Sequence, residues 1–239
     1  MTVKRGVELL QRLQLTLPII QAPMAGVSTP AMAAAASNAG ALGSLGVGAT
    51  NPDGAAKMIR AARDLSKRAL HVNVFCHRPA TPNRTVESAW IERLRPHFER
   101  VGAIPPSALC EIYRSFVDDD AMLAQLVESR PEVVSFHFGL PATQRIQALR
   151  KAGSLLFASV TSLEEAHAVV AAGVDAVIAQ GYEAGGHRGV FDPEARDDRL
   201  GTFALTRVLA RKLEVPVIAA GGIMDGAGIA AVLKLGAVA

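Results

Sequence analysis

The stretch "VDAVIAQGYEAGGHRG", residues 174–189, joins a run of apolar residues to a glycine-rich segment that carries one histidine. The run "VDAVIA" (174–179) does not alternate between polar and apolar residues, which predicts a strand covered on both faces. Strands of this kind occur in parallel sheets that have helices packed on them. The stretch therefore predicts a buried parallel strand, followed directly by a turn in which glycines surround His187.

Similar apolar runs recur along the chain and are separated by alanine-rich segments that predict helices. Several of these segments begin at a Ser, Thr, Asp or Asn cap and end at a glycine, as at Gly40 and Gly173. A repeated alternation of strand and helix predicts a parallel sheet with right-handed crossovers. The predicted strands are 17–24, 41–48, 70–76, 132–139, 155–160, 174–181 and 215–222.

Seven predicted strands, with "GAVA" (236–239) as the opening of an eighth, predict an α/β fold. The fold class that fits them best is a TIM (β/α)8 barrel, incomplete at the C-terminus, in a single domain over residues 1–239. The alternative is an open doubly wound sheet, but "QAPMAGVSTP" (21–30) lacks its GxGxxG turn. Two insertions interrupt the regular spacing, and "DPEARDDR" (192–199) within the second predicts a solvated polar loop; the insertions are 77–131 and 182–214.

The composition argues against several classes of protein. The 25 Lys and Arg and the 22 Asp and Glu residues are scattered along the chain, which gives a net charge of +3 and no basic patch for nucleic acid. The N-terminal segment lacks the unbroken apolar core of a signal peptide or of a membrane span. Cys76 and Cys110 lack CxxC spacing, which fits a reducing compartment. We expect a cytoplasmic protein that binds neither nucleic acid nor a membrane.

A barrel places its chemistry at the carboxyl ends of its strands, and four residues there stand out. Gly221 and Gly222 precede a helix that Asp225 is expected to cap, so their N–H groups can approach a phosphate, although plain turn geometry would also use glycine. Asn73 and Gln180 are polar residues among apolar neighbours. A flat heteroaromatic ring edged with carbonyl and N–H groups would satisfy both amides, and bonds to neighbouring backbone are the alternative.

His187 is the strongest candidate for a catalytic residue. Gly185, Gly186 and Gly189 surround it and are expected to leave room for a bulky ligand against the backbone. An imidazole changes its charge near neutral pH and can take a proton from carbon. His137 lies at another strand end, where it can orient the substrate or His187.

The remaining histidines give no comparable signal. His71, His77, His97 and His167 lie outside such a setting, and His167 falls within a predicted helix. The sequence has no HExxH spacing and no cluster of Cys and His, so it predicts no metal site.

Five stretches together resemble the nitronate monooxygenase family, formerly called 2-nitropropane dioxygenases, and its class I members in particular. The resemblance runs from residue 17 to the end of the chain. The combination of "EAGGHRG" and "SFHFGLP" is specific, whereas "QAPM" is shared with flavin-dependent enoyl reductases and NADH:quinone reductases. The stretches are "PIIQAPMAGVSTPAMAAAASNAGALGSLGVG" (18–48), "HVNVF" (71–75), "SFHFG" (135–139), "QGYEAGGHRG" (180–189) and "VPVIAAGGI" (215–223).

The resemblance implies an FMN enzyme on a TIM barrel, which oxidises nitronates or nitroalkanes with O2 to carbonyl compounds and nitrite. It implies that His187 is the base that takes the α-proton of a nitroalkane or assists the nitronate anion. His137 and Tyr113 match residues that line the same pocket. The residues implied to contact FMN are Met24, Asn73, Gln180, Gly185 and Gly222, with Gly222 near the phosphate.

One departure from the family pattern concerns the C-terminus. Relatives continue through an eighth strand and a mostly helical segment that covers the flavin, whereas this sequence stops at "LKLGAVA". We expect a protein that is complete at residue 239 to bind FMN weakly and to have low activity, and a fragment of a longer protein fits the sequence equally well.

Two alternative functions remain open. The first is an FMN-dependent NAD(P)H:quinone or enoyl-thioester reductase, which shares much of this scaffold. The second is a catalytically inactive barrel fragment. Barrels of the inosine-monophosphate dehydrogenase type need a cysteine nucleophile in the loop after the sixth strand, and residues 182–214 contain none. The sequence does not determine the oligomeric state.

Overall fold

The computed structural model describes residues 2–239, with side chains from residue 5 onward. These residues form nine α-helices and a single sheet of six parallel strands in the order β1-β2-β3-β4-β5-β6, curled into a half-barrel. The strands are β1 (Gly43–Gly46), β2 (Leu70–Phe75), β3 (Val133–His137), β4 (Leu155–Val160), β5 (Ala176–Gln180) and β6 (Val217–Ala220). The helices are α1 (Thr2–Arg12), α2 (Pro30–Asn38), α3 (Pro52–Leu65), α4 (Arg84–Arg100), α5 (Asp120–Ser129), α6 (Thr143–Lys151), α7 (Leu163–Ala171), α8 (Thr202–Lys212) and α9 (Gly226–Leu235).

Six of the predicted strands are confirmed as β1 to β6, and the prediction of a first strand at 17–24 is wrong. That segment lies beside β1 but makes a single parallel bridge, between Ile20 and Leu42. Pro18 and Pro23 flank the bridge, and proline has no N–H group to donate to a ladder. The segment 236–239 likewise forms no strand, although Val238 N donates to Val217 O at 2.8 Å beside β6.

Alternate residues of each strand point to opposite sides, so the sheet has two faces with different sets of side chains. On the convex face, apolar side chains such as Val134 and Val177 pack under the surrounding helices. On the concave face, apolar residues near the starts of the strands, such as Val133 and Leu155, pack with Leu9 of α1 and with Leu13, which follows α1. Helix α1 thus closes the amino-terminal end of the concave face and leaves the carboxyl end for polar residues.

Thr, Ser and Asp side chains cap helices, as the sequence predicted for these residue types. The side chain of Thr29 caps α2 by accepting from Met32 N, and Asp225 caps α9 by accepting from Gly228 N. Ser162 caps α7, and the side chain of Glu165 accepts in return from Thr161 N at 2.6 Å. These reciprocal bonds satisfy N–H groups that the first turn of a helix leaves free.

The first insertion, 77–131, contains α4 and α5, which the sequence did not predict. The buried side chain of Arg145 in α6 holds the end of this insertion: its Nη1 donates to Asp119 O at 3.0 Å and its Nη2 donates to Asp120 Oδ1 at 2.6 Å. The guanidinium also lies over the ring of Phe116, 5.6 Å from its centroid. These contacts fix the loop that carries Tyr113 above the end of β2.

No helix within residues 2–239 is both long enough and apolar enough to cross a lipid bilayer.

The close packing of α2 on β1 can be tested at Gly43. A Cβ atom there would collide with the carbonyl oxygen of Ala33 and would lie 2.7 Å from Ser37 Oγ. We expect Gly43→Ala to lower the free energy of unfolding in urea by about 1–3 kcal/mol. Gly226→Ala is the control, because a Cβ atom there meets nothing within 4 Å. Equal stability of the two variants would contradict this account.

Candidate active site

The carboxyl ends of the strands bring the predicted polar residues to one side of the sheet. Asn73 pairs in register with Ser135, and Phe75 pairs with His137, so all four lie on the concave face. Gln180, the last residue of β5, lies on the same face by the same alternation through β3, β4 and β5. Asn73, His137 and Gln180 are all buried. The structure therefore brings these three predicted residues to one rim.

The carbonyl oxygen of His187 is the anchor of the loop that follows β5. Gln180 Nε2 donates to it at 2.9 Å, and His137 Nε2 donates to it at 3.2 Å. The other end of the Gln180 amide, Oε1, accepts from Gly189 N at 2.7 Å. The Gln180 amide thus forms hydrogen bonds to neighbouring backbone, which the sequence analysis gave as the alternative to contact with a heteroaromatic ring.

The bond to His187 O also fixes the protonation of His137. A carbonyl oxygen only accepts, so His137 carries its proton on Nε2 and presents Nδ1 as an acceptor. Burial lowers the pKa of His137 to about 4. His137 is therefore neutral at neutral pH and suited to orienting its neighbours.

The three glycines around His187 differ in the free space beside their Cα atoms. A Cβ atom on Gly185 or Gly186 would meet nothing within 4 Å, which agrees with the predicted room for a ligand. A Cβ atom on Gly189 would lie 2.7 Å from His137 Cε1 and 3.1 Å from Gln180 Oε1. The prediction is wrong for Gly189, because its open side is filled by His137 and Gln180.

Arg188 fastens the loop from the other side. Its Nε and Nη2 donate to the two carboxylate oxygens of Asp197 at 2.9 Å and 2.8 Å, and its Nη1 donates to Gln180 O at 2.8 Å. The hydrogen bond from Arg188 lowers the pKa of Asp197 to about 2. The prediction that 192–199 is only a solvated loop is therefore wrong at Asp197, which folds back on a residue next to His187.

The turn after β6 packs against the same loop. Thr202 N donates to Glu183 Oε2 at 2.7 Å, and the Thr202 hydroxyl lies 2.8 Å from Gly221 O. Gly221 and Gly222 have φ values of 119° and 66°, and a Cβ atom on Gly222 would lie 3.0 Å from Glu183 Cβ. Backbone conformation and close packing thus both require glycine here.

Four backbone N–H groups at these two turns remain available as donors. Within residues 2–239, the N–H groups of Gly185, Gly186, Gly221 and Gly222 have no hydrogen-bond partner. The turns adjoin, since a Cβ atom on Gly221 would lie 3.0 Å from Ala184 N. Clustered N–H groups of this kind form anion sites in proteins.

His187 stands among aromatic rings at the mouth. Its exposed ring lies edge-on to Phe75 at 5.4 Å, to Phe138 at 5.6 Å and to Tyr113 at 6.1 Å between centroids. The structure thus brings Tyr113 to the predicted histidine. Phe75 and Phe138 are not among the predicted site residues, although Phe75 follows Asn73 by two residues and so had to share its face.

Phe138 adopts a backbone conformation that is costly for a large side chain. Its φ is 68°, in the left-handed region, and Gly139 follows with a φ of 128°. This turn swings the Phe138 ring to 4.3 Å from the His137 ring between centroids. Strain of this kind, about 1–3 kcal/mol, concentrates at functional sites.

Met24 lies at the same mouth, beside β1. A Cβ atom on Gly46 would lie 3.0 Å from the Met24 carbonyl carbon, and Gly46 pairs in register with Asn73. The Met24 side chain is exposed. Its N–H group donates to Ser28 Oγ at 2.9 Å, which holds the turn after the first segment.

His71 was set aside in the sequence analysis, and the structure corrects this. It is buried on the concave face two residues before Asn73, with Nδ1 2.8 Å from Ser44 Oγ and Nε2 2.6 Å from Ser135 Oγ. Burial lowers its pKa to about 3. The sequence carried a signal for this position, because a residue two before Asn73 in the same strand lies on the same face. Within the described part of the chain, no three His, Cys, Asp or Glu side chains are grouped to hold a metal ion.

Comparison with known proteins places the chain in a family. The sequence model of the nitronate monooxygenase family matches residues 8–239. Nitronate monooxygenase of Paraburkholderia phytofirmans is 64% identical over 96% of this chain and 63% of its own length. That of Pseudomonas aeruginosa is 52% identical over 92% of this chain and 63% of its own length. This chain thus spans less than two thirds of these relatives.

Solved structures agree with this placement. Nitroalkane oxidase from Streptomyces ansochromogenes is 40% identical, with a TM-score of 0.84, over 96% of this chain and 65% of that one. A mutant of FabK from Thermotoga maritima is 33% identical, with a TM-score of 0.72, over 97% of this chain and 62% of that one. The chain belongs to the nitronate monooxygenase family, whose members in general depend on a flavin, so the resemblance is confirmed.

The ion pair between Arg188 and Asp197 can be tested by hydrogen exchange. We expect Asp197→Asn to speed exchange of the Gly189 amide by about tenfold, because Arg188 loses the bidentate bond that holds its guanidinium where Nη1 donates to Gln180 O in β5. Asp198→Asn is the control, since Asp198 is exposed and lies 3.9 Å from the exposed Arg196. Unchanged exchange in Asp197→Asn would refute this function of the pair.

The two buried histidines predict how stability depends on pH. Their pKa values in the folded protein, about 4 for His137 and about 3 for His71, lie below the unfolded value of 6.5. The unfolded chain therefore binds more protons, and the free energy of unfolding should fall as pH drops from about 6.5 toward 4. Each histidine contributes up to about 1.4 kcal/mol per pH unit.

His71→Gln should remove one of these two contributions, and His167→Gln, on the exposed surface of α7, should not. The measurement is urea unfolding at a series of pH values between about 6.5 and 5, a window above the titration of ordinary carboxylates. Parallel stability curves for the wild type and His71→Gln would contradict the assignment of a neutral buried His71.

Proposed function

We propose that this protein is an FMN-dependent nitronate monooxygenase, which oxidises alkyl nitronates and nitroalkanes with O2 to carbonyl compounds and nitrite. The observation that carries the proposal is the position of His187. Its exposed ring faces the mouth among three aromatic rings, while its carbonyl oxygen is held by Gln180 and His137. Membership of the nitronate monooxygenase family supports this function.

The donors and acceptors at the mouth fit FMN. The cofactor has an anionic phosphate and a flat ring edged with carbonyl and N–H groups. The free N–H groups of Gly185, Gly186, Gly221 and Gly222 suit the phosphate and the ring carbonyls, and Asn73 offers a buried amide. We propose that these residues, together with Met24 and Gln180, hold FMN, which supplies the electron acceptor of the reaction.

His187 would act directly on the substrate. Its ring nitrogens make no hydrogen bond within residues 2–239, so both are available to a ligand. A nitronate is a delocalised anion, which a protonated imidazole attracts. With a neutral nitroalkane, an unprotonated imidazole can take the α-proton. Tyr113, Phe75 and Phe138 would exclude water from one side of that ring.

His137 would support this chemistry without taking a proton itself. It is neutral, and its Nε2–H group donates to the backbone of His187. This bond fixes where the backbone of His187 lies while the imidazole stays free to meet the substrate. We therefore propose that His137 is a positioning residue and that His187 is the base.

The wider setting follows from the same proposal. Residues 1–239 would form one FMN-binding domain of (β/α)8 type, in which the segments 17–24 and 236–239 occupy the first and eighth strand positions beside β1 and β6. Its partners would be a small nitro compound and O2, and its location would be the cytoplasm.

The catalytic function of His187 is tested by replacing it with asparagine. We expect His187→Asn to lower kcat/KM for a neutral nitroalkane by at least about a hundredfold, since proton abstraction loses its base. With preformed nitronate the loss should be smaller, because no proton has to be removed. The measurement is oxygen uptake on both substrates, with His167→Asn as a control on the exposed surface of α7.

Two outcomes would contradict the proposal. Unchanged rates of His187→Asn on both substrates would remove His187 from the chemistry. Oxidation of NADH without oxygen, combined with no oxygen uptake on nitronate, would identify the protein as a flavin-dependent reductase instead.

A further inference from the structure

A chain of hydrogen bonds runs across three strands below Asn73. Ser44 in β1 lies 2.8 Å from His71 Nδ1, and His71 Nε2 lies 2.6 Å from Ser135 Oγ in β3. Asn73 Nδ2 donates to the same Ser135 Oγ at 2.7 Å. All four side chains are buried, and none of these bonds is used by the chemistry proposed above.

The chain determines which end of the Asn73 amide faces the mouth. Ser135 has one hydroxyl proton, and when it is directed to His71 Nε2, Ser135 Oγ can only accept from Asn73. Ser135 O also lies 3.4 Å from Asn73 Nδ2, so a flipped amide would set two carbonyl oxygens against each other. The amide nitrogen therefore stays on the Ser135 side.

The amide oxygen is left without a partner on the protein. Within residues 2–239, Asn73 Oδ1 makes no hydrogen bond, although Asn73 is only 5% exposed. This oxygen therefore remains an open acceptor at the rim. A ligand that brings an N–H group to this rim can donate to it, and the ring of FMN carries such a group in every redox state.

We propose that His71 is a positioning residue, which holds Asn73 through Ser135 so that Oδ1 accepts a hydrogen bond from an N–H group of the FMN ring. The inference rests on the proposed function, because it takes FMN as the ligand. It adds a task for His71, Ser135 and Ser44 that the proposed function does not require of them.

Neutrality suits His71 to this task. A neutral imidazole has one donor and one acceptor nitrogen, so it can accept from Ser135 and donate to Ser44 at the same time. Burial lowers the pKa of His71 to about 3, which keeps the ring in this form at neutral pH. His71 also contacts the Phe157 ring, at 6.1 Å between centroids, so a packing contribution has to be separated from the positioning one.

The experiment measures FMN binding by quenching of flavin fluorescence, together with the absorption spectrum of the bound flavin. We expect His71→Phe, which keeps an aromatic ring but loses both bonds, to weaken FMN binding by about tenfold and to shift the absorption band. His71→Gln should bind within about threefold of the wild type, because its amide again offers a donor and an acceptor. Ser135→Ala should weaken binding as His71→Phe does.

A double-mutant cycle separates positioning from packing. In an Asn73→Ala background, His71→Phe should cause no further loss of FMN affinity, because the group through which it acts is gone. Circular dichroism and the Tm of each variant without FMN report on folding. Ser135→Ala removes a single hydroxyl and provides the test if His71→Phe fails to fold.

Three outcomes would overturn the inference. The first is wild-type affinity and spectrum in either His71→Phe or Ser135→Ala. The second is an equal loss of affinity from His71→Phe with and without Asn73, which would mean that His71 acts by packing. The third is a wild-type protein that binds no FMN, in which case the proposed function fails as well; the first two outcomes leave it intact.

Discussion

The carbonyl oxygen of His187 accepts hydrogen bonds from side chains at the ends of two different strands, and the site depends on this anchor. Gln180 and His137 lie on β5 and β3, which β4 separates, so their bonds to one atom tie the loop to the sheet at two points. The rest of the loop is fixed around it, by Asp197 through Arg188 on one side and by Thr202 through Glu183 on the other. A glycine-rich loop gains a defined conformation in this way while the His187 ring remains free.

The concave face combines two environments that need different side chains. Near the amino ends of the strands, Leu9 of α1 and the following Leu13 pack with apolar residues and exclude water. Beyond this apolar layer the concave face carries polar side chains, and His71 and Ser135 satisfy one another there. The low dielectric of the first environment makes each polar group of the second costly to leave unpaired. That cost explains why the buried amides of Asn73 and Gln180 and the buried imidazoles of His71 and His137 have fixed orientations.

Family membership and geometry contribute different parts of the functional argument. The family match covers residues 8–239, while the chain spans 63% of the length of its relatives in Paraburkholderia and Pseudomonas. Membership identifies the family to which the chain belongs, and it supports the proposed chemistry. The geometry adds how this chain's own residues divide the work, with His137 held neutral by burial and His187 exposed at the mouth.

The sequence by itself determined the parallel sheet, six of its strands, the capped helices and the glycine-rich turn that carries His187. These features depend on local patterns, such as the apolar run 174–179 or the cap at Ser162, which are fixed by neighbouring residues. Only the tertiary structure decided that Asp197 would return to Arg188, that Gly189 would make room for His137, and that His71 would bridge two serines. Helix or strand periodicity along the sequence does not predict these contacts. They form because strand register and the path of the loops bring the residues together.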